Sequence, residues 1–292
     1  PNYGGPMGAD ASLNPDFAEG NRALLWYCDG ASFTGNKEDP VKVPGSGNQT
    51  GGEVYFRGRR VLDALLDDLI GKHGLGSATD VLLSGGSAGA LAAYLHADYV
   101  RSRLPWVTRF KVAPISGFFL DHATVTGQQL FPGETEKVVA MQNSTGGLNQ
   151  ACVKAMSMAS SQMEGTGGQT WKCMFANYSF AHTASPVFAI NSALDAWQMG
   201  HIWKQGCTSS GQFGNCTGSE LAQLRGYEAD FMRDLTHSGN TLSKPGNGAF
   251  VESCLEHVGA QGVRFNQYTI SGGHGATSPV CVVECALERT GQ

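Results

Sequence analysis

The sequence predicts an α/β fold: a mostly parallel sheet with helices on both faces and a loop-rich cap insertion. Three features point there. Short apolar runs alternate with helical spacings, a Gly-x-Ser-x-Gly turn joins one such run to the helix after it, and a long central stretch lacks strong periodicity. Strands that alternate with helices favour parallel pairing, because each crossover lays a helix against the sheet.

Each element follows from local pattern. Arg22–Cys28 is a short apolar run that reads as a buried strand. The stretch 35–52 is rich in Gly, Pro, Asn and Ser and reads as a loop. Across 56–72, Val61, Leu62, Leu65, Leu66 and Leu69 recur at helical spacing, with Arg59, Arg60, Asp63, Asp67 and Asp68 between them. Asp80–Ser84 predicts a strand and Ala88–Arg103 a helix that Pro105 stops. Further strands are expected at Phe110–Ile115, Pro186–Asn191 and Ala249–Ser253, with another apolar run near Tyr268–Ser271. Ser219–His237 places Leu221, Leu224, Tyr227, Phe231 and Leu235 roughly on one face of a long helix. The segment of about 131–185 is the expected cap.

Composition narrows the function. Of 292 residues, 41% are hydrophobic and 15% charged, against a typical ~25% charged, so the chain is not intrinsically disordered. The 40 glycines follow no three-residue period, which excludes collagen and favours tight loops. No run approaches the ~20 apolar residues that span a bilayer. The net charge of −5 argues against nucleic acid as a partner, since phosphate neutralisation calls for a basic surface. At roughly 100–200 residues per domain, the length allows one large domain or two small ones.

Eight cysteines are present: Cys28, Cys152, Cys173, Cys207, Cys216, Cys254, Cys281 and Cys285. An even, clustered set suggests disulfides and an oxidising compartment. Asn-x-Ser/Thr sequons at Asn48, Asn143, Asn177 and Asn215 are glycosylation candidates that add weight to secretion. The chain begins at Pro1 and shows no signal peptide, so a processed form or a fragment is expected. Cys152 with Cys173 and Cys207 with Cys216 are the natural local pairs, each worth roughly 3 kcal/mol in a chain-entropy estimate. Cys254 is expected to pair with Cys281 or Cys285. The competing reading is a zinc site made by Cys254, His257, Cys281 and Cys285; in an oxidising compartment disulfides take precedence, so no metal and no cofactor is expected.

The strongest chemical signal is Gly85-Gly86-Ser87-Ala88-Gly89. It follows an expected strand and opens an expected helix, which is the setting of a nucleophile elbow. Small neighbours let helix and strand approach, and the helix N-terminus lends partial positive charge to a developing oxyanion. The N–H of Ala88 is one expected oxyanion donor. The plainer alternative is a glycine-rich turn without catalysis. A serine nucleophile needs a base and the base an orienting acid, in the chain order Ser, Asp or Glu, His. Asp195, just past the strand Pro186–Asn191, is the expected acid, and capping of a helix is compatible with that role. For the base, chain order leaves His257 and His274 nearly equal. His237 closes a helix, and His73 and His96 read as structural.

Several segments resemble plant pectin acetylesterases, in the same order along the chain. They are Asn14–Phe17, Tyr27–Gly35 (YCDGASFTG), Tyr55–Gly58, the elbow Ser84–Gly89, Gly117–Asp121 (GFFLD), Asn191–Gln198 (NSALDAWQ) and Ser253–His257 (SCLEH). The wider group includes the Notum-type lipid esterases. The resemblance implies an α/β-hydrolase-like fold, a single esterase domain over residues 1–292, and a Ser–Asp–His mechanism. Carried over by position, Ser87 is the nucleophile, Asp195 the acid and His257 the base, which decides between His257 and His274. Two departures stand out. Ala90 follows the elbow where the plant enzymes usually have glycine. A Gly-Gly-Gly-Trp-Cys segment that supplies further oxyanion donors is absent, and a first strand is expected to be missing with it.

The expected function is a secreted carboxylesterase that deacetylates a cell-wall polysaccharide, pectin foremost, as a monomer. The alternatives are a Notum-type lipid esterase, which a deep apolar pocket beside Ser87 favours, and a non-catalytic glycan-binding relative. Arg57, Arg59 and Arg60 could hold a polyanion, although a solvated helix face is the simpler reading.

Overall fold

The computed structural model describes residues 4–47, 50–161, 168–209, 211–237, 242–262 and 280–283. A small antiparallel pair, β1 (Val41–Val43) and β2 (Gly52–Val54), lies within and beside the stretch expected to be loop. Then come α1 (Gly58–Lys72), β3 (Asp80–Gly86), α2 (Ala88–Arg103) and β4 (Arg109–Ile115). Between β4 and β5 (Phe188–Ser192) lie α3 (Leu130–Met141), α4 (Gln150–Ser161), a 3-10 turn (Gln169–Met174) and α5 (Ala176–Ser179). The chain continues through α6 (Ala196–Gln198), a π turn (Met199–Trp203), α7 (Gly218–His237), β6 (Gly248–Glu252) and β7 (Val280–Val283).

Strands β3 to β7 form one parallel sheet in chain order, with helices around it. Parallel strands point the same way, so the loops leaving their C-terminal ends gather at one edge. Helix α2 is buried almost all round: every residue from Ala90 to Ala97 is inside. A helix in that position needs small apolar residues rather than one apolar stripe. The core joins Leu62 and Leu66 of α1, Ala93 and Tyr94 of α2, and Leu224, Tyr227, Phe231 and Leu235 of α7 to strand residues Val112, Ala189 and Val251. A second cluster joins Leu91 and Leu95 of α2 to Val139 of α3 and to Cys152 and Cys173. Those two cysteines form a disulfide, as do Cys207 and Cys216.

One strand expectation is corrected. Arg22–Cys28 is not a strand: it is irregular, and Trp26 is 70% exposed. An apolar run becomes a strand only against a neighbouring edge, and these residues pair with none among the described residues. Strand β7 had no separate signal in the sequence reading. The run near Tyr268–Ser271, His274, Cys285 and Asn48 lie outside the described residues.

Candidate active site

Ser87 sits between β3 and α2 at φ 54°, ψ −124°, a backbone conformation that L residues rarely adopt. The turn is held from below, because the Ser87 N–H donates to Ile115 O of β4 at 3.0 Å. It is possible only because strand and helix touch closely. A Cβ on Gly85 would lie 2.3 Å from Gly89 O, and one on Gly117 only 2.4 Å from the Ala90 methyl. Thus alanine at position 90 is accommodated opposite a glycine. Ala90 and Leu91 donate their N–H groups to Ser87 O at 2.9 and 3.0 Å, which leaves the N–H groups of Ala88 and Gly89 at the start of α2 without an intrahelical acceptor.

Asp195 caps α6: its Oδ1 accepts the Gln198 N–H at 3.0 Å. Its Oδ2 accepts from His257 Nδ1 at 2.7 Å. The carboxylate is fully buried. Burial pushes its pKa up, against the opposing pull of the His257 hydrogen bond. With Nδ1 carrying the proton, a neutral His257 presents a bare Nε2. Acid and base loops are tied together: Ala193 N–H donates to Glu252 O at 2.7 Å, Ala196 N–H to Glu256 O at 3.1 Å, and Ser192 Oγ to Cys254 O at 2.5 Å. Cys254 is itself disulfide-bonded, so it offers no thiolate to a metal. The side chains of Cys281 and Cys285 lie outside the described residues.

The structure therefore pairs Asp195 with His257 on the sheet edge that carries Ser87. No hydrogen bond joins Ser87 Oγ to His257 among the described residues. Ser87 lines a cavity of about 380 Å³ together with Ala88, Phe119 and Trp197, and His257 stands behind the last two rings. The His257 ring lies 6.5 Å from Phe119 and 6.3 Å from Trp197, centroid to centroid. Leu91, Phe131, Val138, Met174 and Phe175 make the rest of the wall mostly apolar, with Glu134 at its exposed side.

The opposite wall is Gly30–Ser32. Asp29 shapes it by accepting the N–H groups of Ala31 (3.3 Å) and Phe33 (2.9 Å). Ser32 and Phe33 both take positive φ, and Ser32 Oγ donates to Ala88 O at 2.8 Å. Buried His96 holds the same loop by donating from Nε2 to Ser32 O at 2.8 Å. Burial lowers its pKa to about 4. Sequence reasoning assigned no role to Gly30–Ser32, Phe119 or Trp197. The signal was present, since all lie in the family-like segments.

Other candidates are placed plainly. Arg57, Arg59 and Arg60 are occupied by Glu38, Asp63 and the rings of Tyr55 and Tyr99, so they form no open cationic patch. Asn143 and Asn215 are exposed, with the Asn143 amide donating to Asn36 O at 3.1 Å; Asn177 is half-buried, its amide donating to Asp234 at 3.4 Å. His73 pairs with Asp68 at the end of α1.

Comparison with known proteins decides the family. The sequence matches the family described as Pectinacetylesterase over residues 2–281. The chain belongs to the pectinacetylesterase family. Pectin acetylesterases 7 and 11 of Arabidopsis thaliana are each 33% identical to it, over 87% of this chain and 61% of theirs. The chain thus spans under two thirds of the length of these relatives. The palmitoleoyl-protein carboxylesterase NOTUM of Schmidtea mediterranea is 25% identical over 87% of this chain and 44% of its own. In fold, this family member resembles the Wnt deacylase Notum from Drosophila, with a TM-score of 0.70 at 19% identity, covering 93% of this chain and 70% of that one.

Proposed function

We propose that the protein is a secreted serine carboxylesterase that removes acetyl groups from a cell-wall polysaccharide, pectin foremost. The observation that carries this reading is the 2.7 Å bond between His257 and buried Asp195, on the sheet edge where Ser87 occupies a positive-φ strand-to-helix turn. Ser87 Oγ attacks the ester carbonyl while His257 Nε2 takes its proton. Asp195 stabilises the imidazolium, and the Ala88 N–H is one donor to the oxyanion. His257 then protonates the leaving alcohol, and water releases the acid. The helices between β4 and β5 act as a cap over the site. The two disulfides and the exposed sequons at Asn143 and Asn215 support an oxidising, extracellular setting.

The cavity favours a second reading for the acyl group. An acetyl has three heavy atoms, far fewer than a 380 Å³ aromatic-walled space accepts. A longer, lipid-type acyl chain fits that lining better. One experiment tests both: labelling of Ser87 by an organophosphonate, and hydrolysis of 4-nitrophenyl acetate against the octanoate. Labelling with acetate preferred supports deacetylation. Labelling with octanoate preferred supports the lipid-type reading. An unlabelled Ser87 without turnover overturns both.

A further inference from the structure

At the end of β4, next to Ile115, lies a residue that the triad does not use. Ser116 is 4% exposed and takes φ 57°. A non-glycine residue held there costs about 1–3 kcal/mol and persists only where its surroundings impose it. The surroundings do so: Ser116 N–H donates to Ile190 O of β5 at 2.8 Å. Its Oγ accepts the N–H of Val258 at 2.9 Å, bridging residues distant in the chain. Val258 directly follows His257 and is itself at φ 55°. A β-branched residue in that region is a genuine outlier.

The adjacent carbonyl serves the nucleophile, since Ile115 O accepts the Ser87 N–H at 3.0 Å. Ile115, the last residue of β4, and Ser116 directly after it therefore hold both ends of the proton-transfer path, the Ser87 turn through a carbonyl and the His257 loop through a hydroxyl. Three positive-φ residues, Ser87, Ser116 and Val258, are locked to one strand end. Other bonds of the His257 loop run to the acid loop, from Ser192 to Cys254 and from Ala196 to Glu256. The Ser116 bond couples that loop to the end of the strand that also holds the nucleophile turn.

We infer that Ser116 is a positioning residue that fixes His257 relative to Ser87 by holding the Val258 N–H. This rests on the esterase reading above. The chemistry is sensitive to such a tether, because a misplacement of ~1 Å can cost about 10²-fold in rate. Losing the hydroxyl also leaves the Val258 N–H without its acceptor, which frees the backbone at the base.

The test compares Ser116→Ala, Ser116→Gly and Ser116→Cys on 4-nitrophenyl acetate, with thermal melting as the check on folding. Glycine deletes the hydroxyl but relaxes the backbone, whereas cysteine keeps a weak acceptor in place. The expected result is a kcat lowered about 10- to 100-fold in both Ala and Gly, with KM within about twofold and cysteine intermediate. Full kcat in folded Ala and Gly variants overturns the inference. So does full recovery in Gly alone, because the loss in Ala would then come from backbone strain. A wild type that neither turns over nor labels at Ser87 overturns the esterase reading, and the inference with it. An active wild type with unaffected variants overturns the inference alone.

Discussion

The two halves of the site are built by different physics. One half is the sheet edge, where Ser87, Ser116, Asp195 and His257 stand on loops that leave parallel strands and bond to one another at 2.5–3.1 Å. The other half is the pocket wall, made of Gly30–Ser32, α3 and the 3-10 turn at Gln169–Met174, with no strand among its parts. The edge is fixed by pairing register and backbone hydrogen bonds. The wall is fixed by side-chain packing around the Cys152–Cys173 disulfide and by buried groups such as His96. A site so divided keeps its chemistry rigid while the acyl space depends on separable parts. Perturbing the edge should therefore cost turnover, and perturbing the wall should cost stability or selectivity.

The largest effect belongs to the edge. Ser87→Ala should abolish ester hydrolysis, and His257→Ala should lower kcat by about 10³-fold or more, with melting temperatures close to wild type. Steady-state kinetics on 4-nitrophenyl acetate provide the check. Retained turnover in Ser87→Ala would dissolve the contrast between the halves.

The wall should fail with acid before the edge does. Folded His96 has a pKa of about 4, below its unfolded value of 6.5, because burial disfavours the imidazolium. Unfolding therefore takes up a proton between those values. The stability held by neutral His96 is complete above pH 6.5 and is lost as pH falls towards 4, by up to about 3 kcal/mol. Urea titrations at pH 7, 5.5 and 4.5 should show that decline, and His96→Gln should flatten it. An unchanged slope in the variant assigns the acid sensitivity elsewhere.

The contrast also explains what could be read from sequence. The edge was legible because its signals are local: Gly85–Gly89 between a strand and a helix, Asp195 and His257 each shortly after an apolar run. The resemblance of SCLEH to the family then separated His257 from His274. The wall was not legible as a wall, since nothing in the spacing of Phe131, Met174 and Trp197 says that they meet. Arg22–Cys28 misled for the same reason: apolarity marks a strand only if an edge stands beside it, and periodicity carries no information about neighbours. Ser116 was invisible because its role lies in one contact to Val258, remote in the chain.

Next in size is the disulfide. Replacing Cys152 and Cys173 together by alanine should lower unfolding stability by about 2–3 kcal/mol, measured in denaturant. Turnover of the acetate should change little, because neither cysteine touches the sheet edge. Turnover of the octanoate should fall several-fold as Met174 and Phe175, next to Cys173, lose their place in the cavity. Equal losses on both esters would show that the halves are not separable.

The smallest effect sharpens the wall's part in selectivity. Glu134 lines the cavity from α3, and among the described residues no Lys, Arg or His shares that lining. An ester whose acyl end carries a carboxylate must enter an apolar space and face an unmatched negative charge. Glu134 is exposed, so water and salt screen much of the repulsion. What remains over several ångströms is worth a few-fold to about tenfold in kcat/KM. Glu134→Gln should raise kcat/KM for the 4-nitrophenyl half-ester of succinic acid by that factor and leave 4-nitrophenyl acetate unchanged. The gain should shrink at 0.5 M salt. An equal gain on both esters would exclude repulsion of the acyl carboxylate as the cause, since glutamine keeps the volume of glutamate and that repulsion acts only on the anionic ester.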